Sequence, residues 1–228
     1  MAALTRTVSP APTLARGFVR GFTLTEMAVV LVIASLLIGG MIVPLSAQQD
    51  MRYVADTQKQ FADISDALYG FAASKTKPYL PCPDTNADGL EDRTGSTCTG
   101  SVQEGGLPWA TLGLGGLGRQ DAWGNPFRYR VAATFSDSSG GFTLSSLGDL
   151  RVCEASACST PLATALPAVF LSSGKNGAAT TTDADELENL DGDNDFVQRS
   201  LNGSYDDLVV WLPTNILINR MISSGRLP

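Results

Sequence analysis

The stretch Gly21-Phe22-Thr23-Leu24-Thr25-Glu26, followed by the uncharged run Met27–Leu45, decides the fold of the N-terminal part of this chain. The run is nineteen residues long. A helix needs roughly 20 apolar residues, each rising about 1.5 Å, to cross the hydrocarbon core of a bilayer. We therefore predict a transmembrane helix over residues 22–47.

Residues 1–21 carry only positive charge. Arg6, Arg16 and Arg20 precede Gly21, and no Asp or Glu lies among residues 1–21. A basic flank retains the N-terminus in the cytoplasm by the positive-inside rule. The acidic remainder of the chain is then expected on the far side of the membrane.

Glu26 is the unusual residue of this segment. A carboxylate at the edge of the hydrocarbon core is costly and therefore usually has a partner. In its context, the sequence from Gly21 to Ile33 resembles the class III signal of type IV pilins and pseudopilins. The resemblance implies that a prepilin peptidase cuts after Gly21 and N-methylates Phe22. It also implies that the Glu26 carboxylate neutralises the N-terminal amine of a neighbouring subunit, a buried pair that specifies register.

A second processing site competes with this interpretation. Leu45-Ser46-Ala47 loosely resembles a signal-peptidase site, which would make the chain a secreted protein cut after Ala47. The apolar run is longer than the about 7–15 residues of such signals, and Glu26 would have no role in one.

Apolar residues continue at spacings of three, four and seven beyond the uncharged run, as on one face of a helix. They are Val54, Phe61, Ile64, Leu68 and Phe71. The pattern predicts an amphipathic helix over residues 48–77 that packs this face on a globular domain over residues 78–228.

From Pro78 onward, short apolar stretches alternate with Gly, Pro, Asn and Asp, which is typical of a loop-rich, mostly antiparallel sheet. A helix is expected to begin after Pro213. The predicted fold class is α+β, a pilin-like arrangement of a long N-terminal helix packed on a small antiparallel β-sheet domain. The predicted strands are Phe127–Ala133, Phe142–Ser146, Ala168–Ser172 and Leu208–Trp211.

The four cysteines are Cys82, Cys98, Cys153 and Cys158. Disulfides persist outside the cytoplasm, where the predicted topology places these residues. Four cysteines allow three connectivities, and sequence alone does not choose among them. We predict the pairing of sequence neighbours, Cys82 with Cys98 and Cys153 with Cys158, because it closes the two shortest loops.

An acidic loop between the first two cysteines resembles the start of a calcium-binding loop. Oxygen ligands are expected at its positions 1, 3, 5 and 9, with a backbone carbonyl at position 7 and glycine at position 6. A plain acidic turn is the alternative, because Gly95 stands where the bidentate Glu belongs, and Glu91 or a distant residue would have to complete the shell. The candidate ligands are Asp84, Asn86, Asp88, Leu90 and Asp92.

A second acidic region follows Ser172-Ser173-Gly174-Lys175-Asn176-Gly177. This turn, with Asp183-Ala184-Asp185, is similar to the calcium-binding loop of the major pseudopilin of type II secretion. The segment from Asp121 to Tyr129 is similar to another part of that family, D-x-W-G-x-P-Y. The resemblance implies calcium at Asp183 and Asp185, whereas an acidic surface loop is the alternative. Further candidate ligands are Asp191, Asp193 and Asp195.

Composition excludes several classes of function. The 228 residues include no histidine, which excludes Ser-His-Asp and Cys-His catalysis and His-ligated metal sites. The net charge of −7 argues against nucleic-acid binding, which needs a basic face. Loss of the leader with its three arginines leaves 13 basic and 23 acidic residues, a net charge of −10 that bound calcium would relieve.

These observations predict a non-enzymatic structural subunit, a pseudopilin of a type II secretion-like apparatus. The expected domains are a cleaved leader (1–21), a transmembrane and filament-core helix (22–47), an amphipathic helix (48–77) and a periplasmic domain (78–228). The expected partners are prepilin peptidase, other pilin or pseudopilin subunits and an inner-membrane assembly platform, and calcium is the expected cofactor.

The alternatives within this class are a minor type IV pilin and a DNA-uptake pseudopilin. Cys153 and Cys158 lie well short of the C-terminus, whereas pilus pilins often have a C-terminal disulfide loop, so the pseudopilin is favoured. A membrane-anchored periplasmic binding protein, or an enzyme such as a glycosidase that uses an Asp/Glu pair, is the alternative from another class.

Overall fold

The computed structural model describes residues 21–177 and 181–228, with no side chains described for 40–47. The predicted leader therefore lies outside the described residues, apart from Gly21. The chain divides into two compact units, Met1–Gln48 and Gln49–Pro228. The helices are α1 (Leu24–Ser74), α2 (Ala133–Ser136), α3 (Ala184–Glu188) and α4 (Thr214–Ser223). The strands are β1 (Arg93–Thr94), β2 (Thr97–Cys98), β3 (Glu104–Gly106), β4 (Arg128–Val131), β5 (Leu150–Cys153), β6 (Pro161–Leu166), β7 (Ala168–Ser172), β8 (Asp195–Val197) and β9 (Leu208–Leu212).

Helix α1 contributes residues to both units. In the first unit its large apolar side chains are exposed as far as Ile38. Across the residues that the structure describes, no helix meets the length and hydropathy required of a membrane span. The transmembrane helix expected over residues 22–47 includes eight positions without described side chains and stays a prediction.

In the second unit, α1 packs its predicted apolar face into the core. Phe61, Ile64 and Leu68 are buried, and Val54 and Phe71 are half-buried. The Phe61 ring contacts the rings of Phe127 and Phe170, with centroids 5.5 and 5.4 Å away. The predicted apolar face is thus buried, and α1 ends at Ser74, within the span 48–77.

The main sheet has four antiparallel strands in the order β3-β4-β7-β9. Strands β4, β7 and β9 coincide with three of the predicted strands, and α4 begins directly after Pro213 as expected. The fold is therefore α+β, with a helix followed by largely antiparallel sheets. Its second sheet, β6-β5-β8, departs from the prediction because β5 and β8 pair in parallel.

The strand predicted over 142–146 is wrong. Phe142 is buried against Phe135, with ring centroids 4.9 Å apart, but the residues after it form a turn. Thr143 N donates to Ser146 Oγ at 2.9 Å, and Ser146 N donates to Thr143 O at 3.1 Å. Side-chain hydroxyls that bond the local backbone compete with strand pairing, which explains the difference.

Both predicted disulfides are present. Cys82 is bonded to Cys98, and Cys153 is bonded to Cys158. Three of the four cysteines are almost completely buried, so each cross-link ties a loop to the core of the second unit.

Replacement of Ile64 tests the packing of α1 in the second unit. All buried core residues of the described chain lie at or after Phe61, so a fragment of residues 49–228 retains the whole core. We expect Ile64→Ala to lower the free energy of unfolding by about 2–5 kcal/mol, because it opens a cavity. Ile222→Ala, at a half-exposed position on α4, is the matched control and should cost less than about 1 kcal/mol. Urea unfolding of both variants gives the comparison, and equal losses would contradict the packing described.

Candidate functional site: the N-terminal segment and the acidic loops

Glu26 lies in the first turn of α1 and closes a capping box with Thr23. Its Oε2 accepts hydrogen bonds from Thr23 N and Thr23 Oγ1, both at 2.8 Å. In return, Glu26 N donates to Thr23 Oγ1 at 3.2 Å. This reciprocal pattern starts a helix by satisfying backbone N–H groups that have no intrahelical partner. Within the described chain, Glu26 therefore has a local structural role.

Gly21 and Phe22 precede the helix and are exposed. A Cβ atom at Gly21 would meet no described atom within 4 Å. Packing against the described residues therefore does not require glycine at this position.

The described side chains of the first unit form a surface that is almost entirely apolar. Exposed apolar surface of this extent marks an interaction site in soluble and membrane proteins alike. Its large members are Phe22, Leu24, Met27, Val29, Val30, Leu31, Val32, Ile33, Leu36, Leu37 and Ile38.

The first acidic loop is organised around Asp84, which is buried. Its Oδ1 accepts from Asn86 N and Ala87 N, and its Oδ2 accepts from Gly89 N at 2.7 Å. Gly89 has φ +84°, and a Cβ atom there would lie 2.4 Å from the Trp109 ring, so glycine is required.

The alternate residues of this loop repeat the same turn. Asn86 Oδ1 accepts from Asp88 N at 3.0 Å, and Asp88 Oδ1 accepts from Leu90 N at 2.8 Å. Asp92 accepts from the side chain and backbone N–H of Thr85, and these hydrogen bonds hold the pKa of Asp92 below its usual range. The loop thus brings the five predicted ligands into one hydrogen-bonded turn.

Glu91, considered above as a ligand that could complete the shell, has other partners. Its Oε2 lies 3.0 Å from Arg93 Nη2 and accepts from Cys82 N at 3.0 Å. A metal site needs several carboxylates close together. Two groups of three acidic side chains in the described chain have oxygens within 4.8 Å of one another, and neither group lies in this loop. Calcium at this loop stays a prediction.

The two segments that resemble the major pseudopilin are in contact. Asp121 is buried, and its Oδ1 accepts from Trp123 N and Asn125 N. Its Oδ2 accepts from Ser172 Oγ at 2.5 Å, and Asn125 Nδ2 donates to Gly174 O at 2.6 Å. The Asp121 carboxylate therefore joins the loop before β4 to the end of β7.

Asp183 and Asp185 lie on either side of the start of α3, and Arg199 pairs with both. Asp183 caps the helix by accepting from Asp185 N at 3.0 Å. Arg199 Nη2 lies 2.9 Å from Asp183 Oδ2, and Arg199 Nε lies 2.6 Å from Asp185 Oδ2. The sequence analysis missed Arg199, since a single arginine fourteen residues from Asp185 carries no pattern.

The other three predicted ligands of the second region lie apart from this pair. Asp195 forms an ion pair with Arg151 at 2.5 Å. Asp191 and Asp193 lie beside Glu188, with carboxylate oxygens of all three within 4.8 Å of one another. The five predicted ligands are therefore distributed over three places rather than gathered in one.

A further acidic cluster was not predicted from the sequence. It consists of Glu186, Asp206 and Asp207, which have carboxylate oxygens within 4.8 Å of one another. Glu186 and Asp207 are only 1% and 3% exposed. The signal available in the sequence was the adjacent pair Asp206-Asp207 directly before β9. Two acidic residues at the start of a strand that packs in the core are expected to be poorly solvated.

Asp207 is the most strongly perturbed carboxyl of the cluster. Its pKa is raised to about 7, mainly by burial. The charges of Glu186 and Asp206 add to the rise, whereas a hydrogen bond from Asn189 and the charge of Arg128 oppose it. Burial also raises the pKa of Asp206. Ionisation of Asp207 is therefore unfavourable in the folded chain.

Comparison with known families identifies the N-terminal segment. Residues 16–42 match the family described as the prokaryotic N-terminal methylation motif. The chain therefore carries the class III signal of type IV pilin-like proteins. Neither the curated proteins nor the solved structures include a match to this chain.

Replacement of Asp207 tests the acidic cluster through pH. The folded pKa of about 7 lies above the ordinary value of 3.8, so the folded state binds the extra proton between these values. The contribution of Asp207 to stability must then fall as pH rises from about 4 to about 7, by a difference on the order of a few kcal/mol. Asp207→Asn should flatten this dependence in urea unfolding of residues 49–228.

Asp66→Asn is the matched control, because the Asp66 side chain is 73% exposed. Its pH dependence should equal that of the unmodified fragment. An Asp207→Asn variant with an unchanged slope would contradict the burial of an ionisable Asp207.

Proposed function

We propose that this chain is a structural subunit, a pseudopilin of a type II secretion-like pseudopilus, anchored in the inner membrane with its globular unit in the periplasm. The methylation motif at residues 16–42 carries the proposal, because it implies processing by a prepilin peptidase and assembly with other pilin-like subunits. An inner-membrane platform would assemble the subunits, and catalysis has no part in this role.

The surroundings of Gly21 support cleavage after this residue. Packing against the described residues does not require glycine there, and both Gly21 and Phe22 are exposed. Recognition by the prepilin peptidase would explain a glycine that packing does not require. Removal of residues 1–21 would create a positively charged amine on Phe22, next to the apolar surface of the first unit.

Glu26 supplies the charge that this amine needs. Its hydrogen bonds with Thr23 use Oε2, which leaves Oε1 to accept from the Phe22 amine of a neighbouring subunit. An ion pair formed in apolar surroundings contributes more to register than to stability, since desolvation offsets most of the attraction. The apolar side chains around it would become buried between subunits, which stabilises the filament.

The second unit supports a pseudopilin in particular. The Asp121–Ser172 and Asn125–Gly174 hydrogen bonds join the two segments that resemble the major pseudopilin. Two disulfides and a helix-packed antiparallel sheet suit a domain exposed outside the cytoplasm.

The intact mass of the membrane-extracted protein tests the processing. We expect a chain that begins at Phe22 and carries one added methyl group. A mass that corresponds to a chain beginning at Gln48 would instead identify a secreted protein cut after Ala47.

Three variants separate the charge of Glu26 from its capping role. Glu26→Gln keeps a residue that can close the capping box but removes the charge. Thr23→Ala removes the cap but keeps the carboxylate. We expect Glu26→Gln and Glu26→Val to be cleaved normally yet absent from sheared filaments, whereas Thr23→Ala is incorporated. Normal incorporation of Glu26→Gln would show that assembly does not need the charge.

Calcium at the first acidic loop belongs to the same proposal. Its donors are carboxylate, amide and carbonyl oxygens, the ligands that calcium prefers. Asp84, Asn86, Asp88 and Asp92 would hold the ion with the Leu90 carbonyl, and the ion would offset part of the −10 charge of the processed chain.

Chelation tests this site. We expect a chelator to lower the melting temperature of residues 49–228 by several degrees, because calcium binds only the folded loop. Asp88→Asn keeps the Oδ1 that accepts from Leu90 N but removes a charged ligand, so its melting temperature should not respond to the chelator. If the melting temperature of the unmodified fragment did not change with the chelator, the proposed calcium site would be wrong.

A further inference from the structure

Arg199 lies between two carboxylates that the family resemblance assigns to calcium. Its guanidinium approaches Asp183 Oδ2 to 2.9 Å and Asp185 Oδ2 to 2.6 Å. The three side chains are mostly shielded from water, with 25% of the arginine and 13% and 17% of the aspartates exposed. Ion pairs at such positions are screened less by solvent than those on an open surface.

The arginine is held in place from a second side. Its guanidinium carbon lies 4.4 Å from the centre of the Tyr205 ring. At this distance the face of an aromatic ring attracts a cation. Tyr205 is itself buried, and its hydroxyl donates to Val197 O at 2.7 Å. The cation is therefore positioned by contacts that do not depend on the two aspartates.

The aspartates have further partners within the fold. Asp183 Oδ1 accepts from Asp185 N, and Asp185 Oδ1 accepts from Ser156 N at 2.9 Å. Each carboxylate thus uses one oxygen for a backbone N–H and the other for Arg199. The Arg199 guanidinium is a cation, because arginine is not deprotonated in proteins.

These contacts do not fit a calcium ion at Asp183 and Asp185. Calcium takes six to eight oxygen ligands and would need both carboxylates. Bound there, it would place two positive charges against the guanidinium, a repulsion that is large at short range in a partly buried site. The ion could enter only if Arg199 left Tyr205 and both aspartates.

We propose that Arg199 is the resident cation of the loop formed by residues 181–199, and that it holds Asp183 and Asp185 in place of a metal ion. The start of α3 is then stabilised by a charge that belongs to the chain itself. The unmodified chain then binds no calcium at Asp183 and Asp185, and replacement of Arg199 creates a calcium site there. The inference does not rest on the filament role or on calcium at the first acidic loop.

Calcium counting on the processed full chain in detergent tests the proposal. Equilibrium dialysis against radioactive calcium gives the number of ions bound, and every result is a difference from the unmodified protein. We expect Arg199→Ala to bind one more ion than the unmodified protein. Adding Asp183→Asn and Asp185→Asn to that variant should abolish the extra ion, which separates this site from the acidic cluster of Glu186.

Thermal unfolding gives a second readout. Arg199→Ala should lower the melting temperature by about 5 °C, since it leaves two carboxylates without their cation. Added calcium should restore part of that loss. Arg220→Ala is the matched control, because Arg220 also lies over a tyrosine ring and beside an aspartate, Asp66, but is exposed. It should gain no calcium and should lose little stability.

The unmodified arginine provides a test that does not depend on the folding of Arg199→Ala. Asp183→Asn with Asp185→Asn should leave the number of bound ions unchanged, because no metal is lost. A loss of one ion in this variant would overturn the proposal. So would a folded Arg199→Ala protein that binds no more calcium than the unmodified chain.

Discussion

The contact of Phe61 with Phe127 and Phe170 is the interaction on which the second unit depends. It joins α1 to β7 and to the residue directly before β4, and these are the two central strands of the main sheet. Phe127 directly follows the loop that begins at Asp121, and Phe170 lies two residues before Ser172. The helix therefore sets the positions at which the Asp121 carboxylate meets the Ser172 hydroxyl. The second acidic region follows β7 along the chain, whereas the first lies before β1.

The parts of the fold that were predictable are those with a local signal. The periodicity of α1 predicted its buried face, and the continuous apolar runs of β7 and β9 predicted buried strands. The second sheet has no such signal. In it, β5 pairs in parallel with β8, a partner more than forty residues away, and β6 is mostly exposed. Phe142 shows the opposite error, since a buried aromatic residue suggested a strand where Thr143 and Ser146 close a turn.

The candidate site divides along the same line. Glu26 is a lone carboxylate at the edge of a long uncharged run, so sequence was sufficient to single it out, and its contacts with Thr23 are local. Acidic residues at alternate positions also indicated the turn that Asp84 organises. The sign of the neighbouring charge was not predictable. Whether an acidic region receives a cation, as at Arg199, or a second acid, as at Asp207, depends on which distant segment the fold brings to it.

The two disulfides have a consequence for the way the chain matures. They join residues sixteen and five positions apart, and the first pair is complete before the second begins. A polypeptide that meets an oxidant progressively from its N-terminal side therefore presents each cysteine with its native partner as the nearest available thiol. Short loops close at low entropic cost, so neither bond needs the sheet to bring its two cysteines together. In such a polypeptide, the order in which the cysteines emerge favours the native connectivity among the three that four cysteines allow.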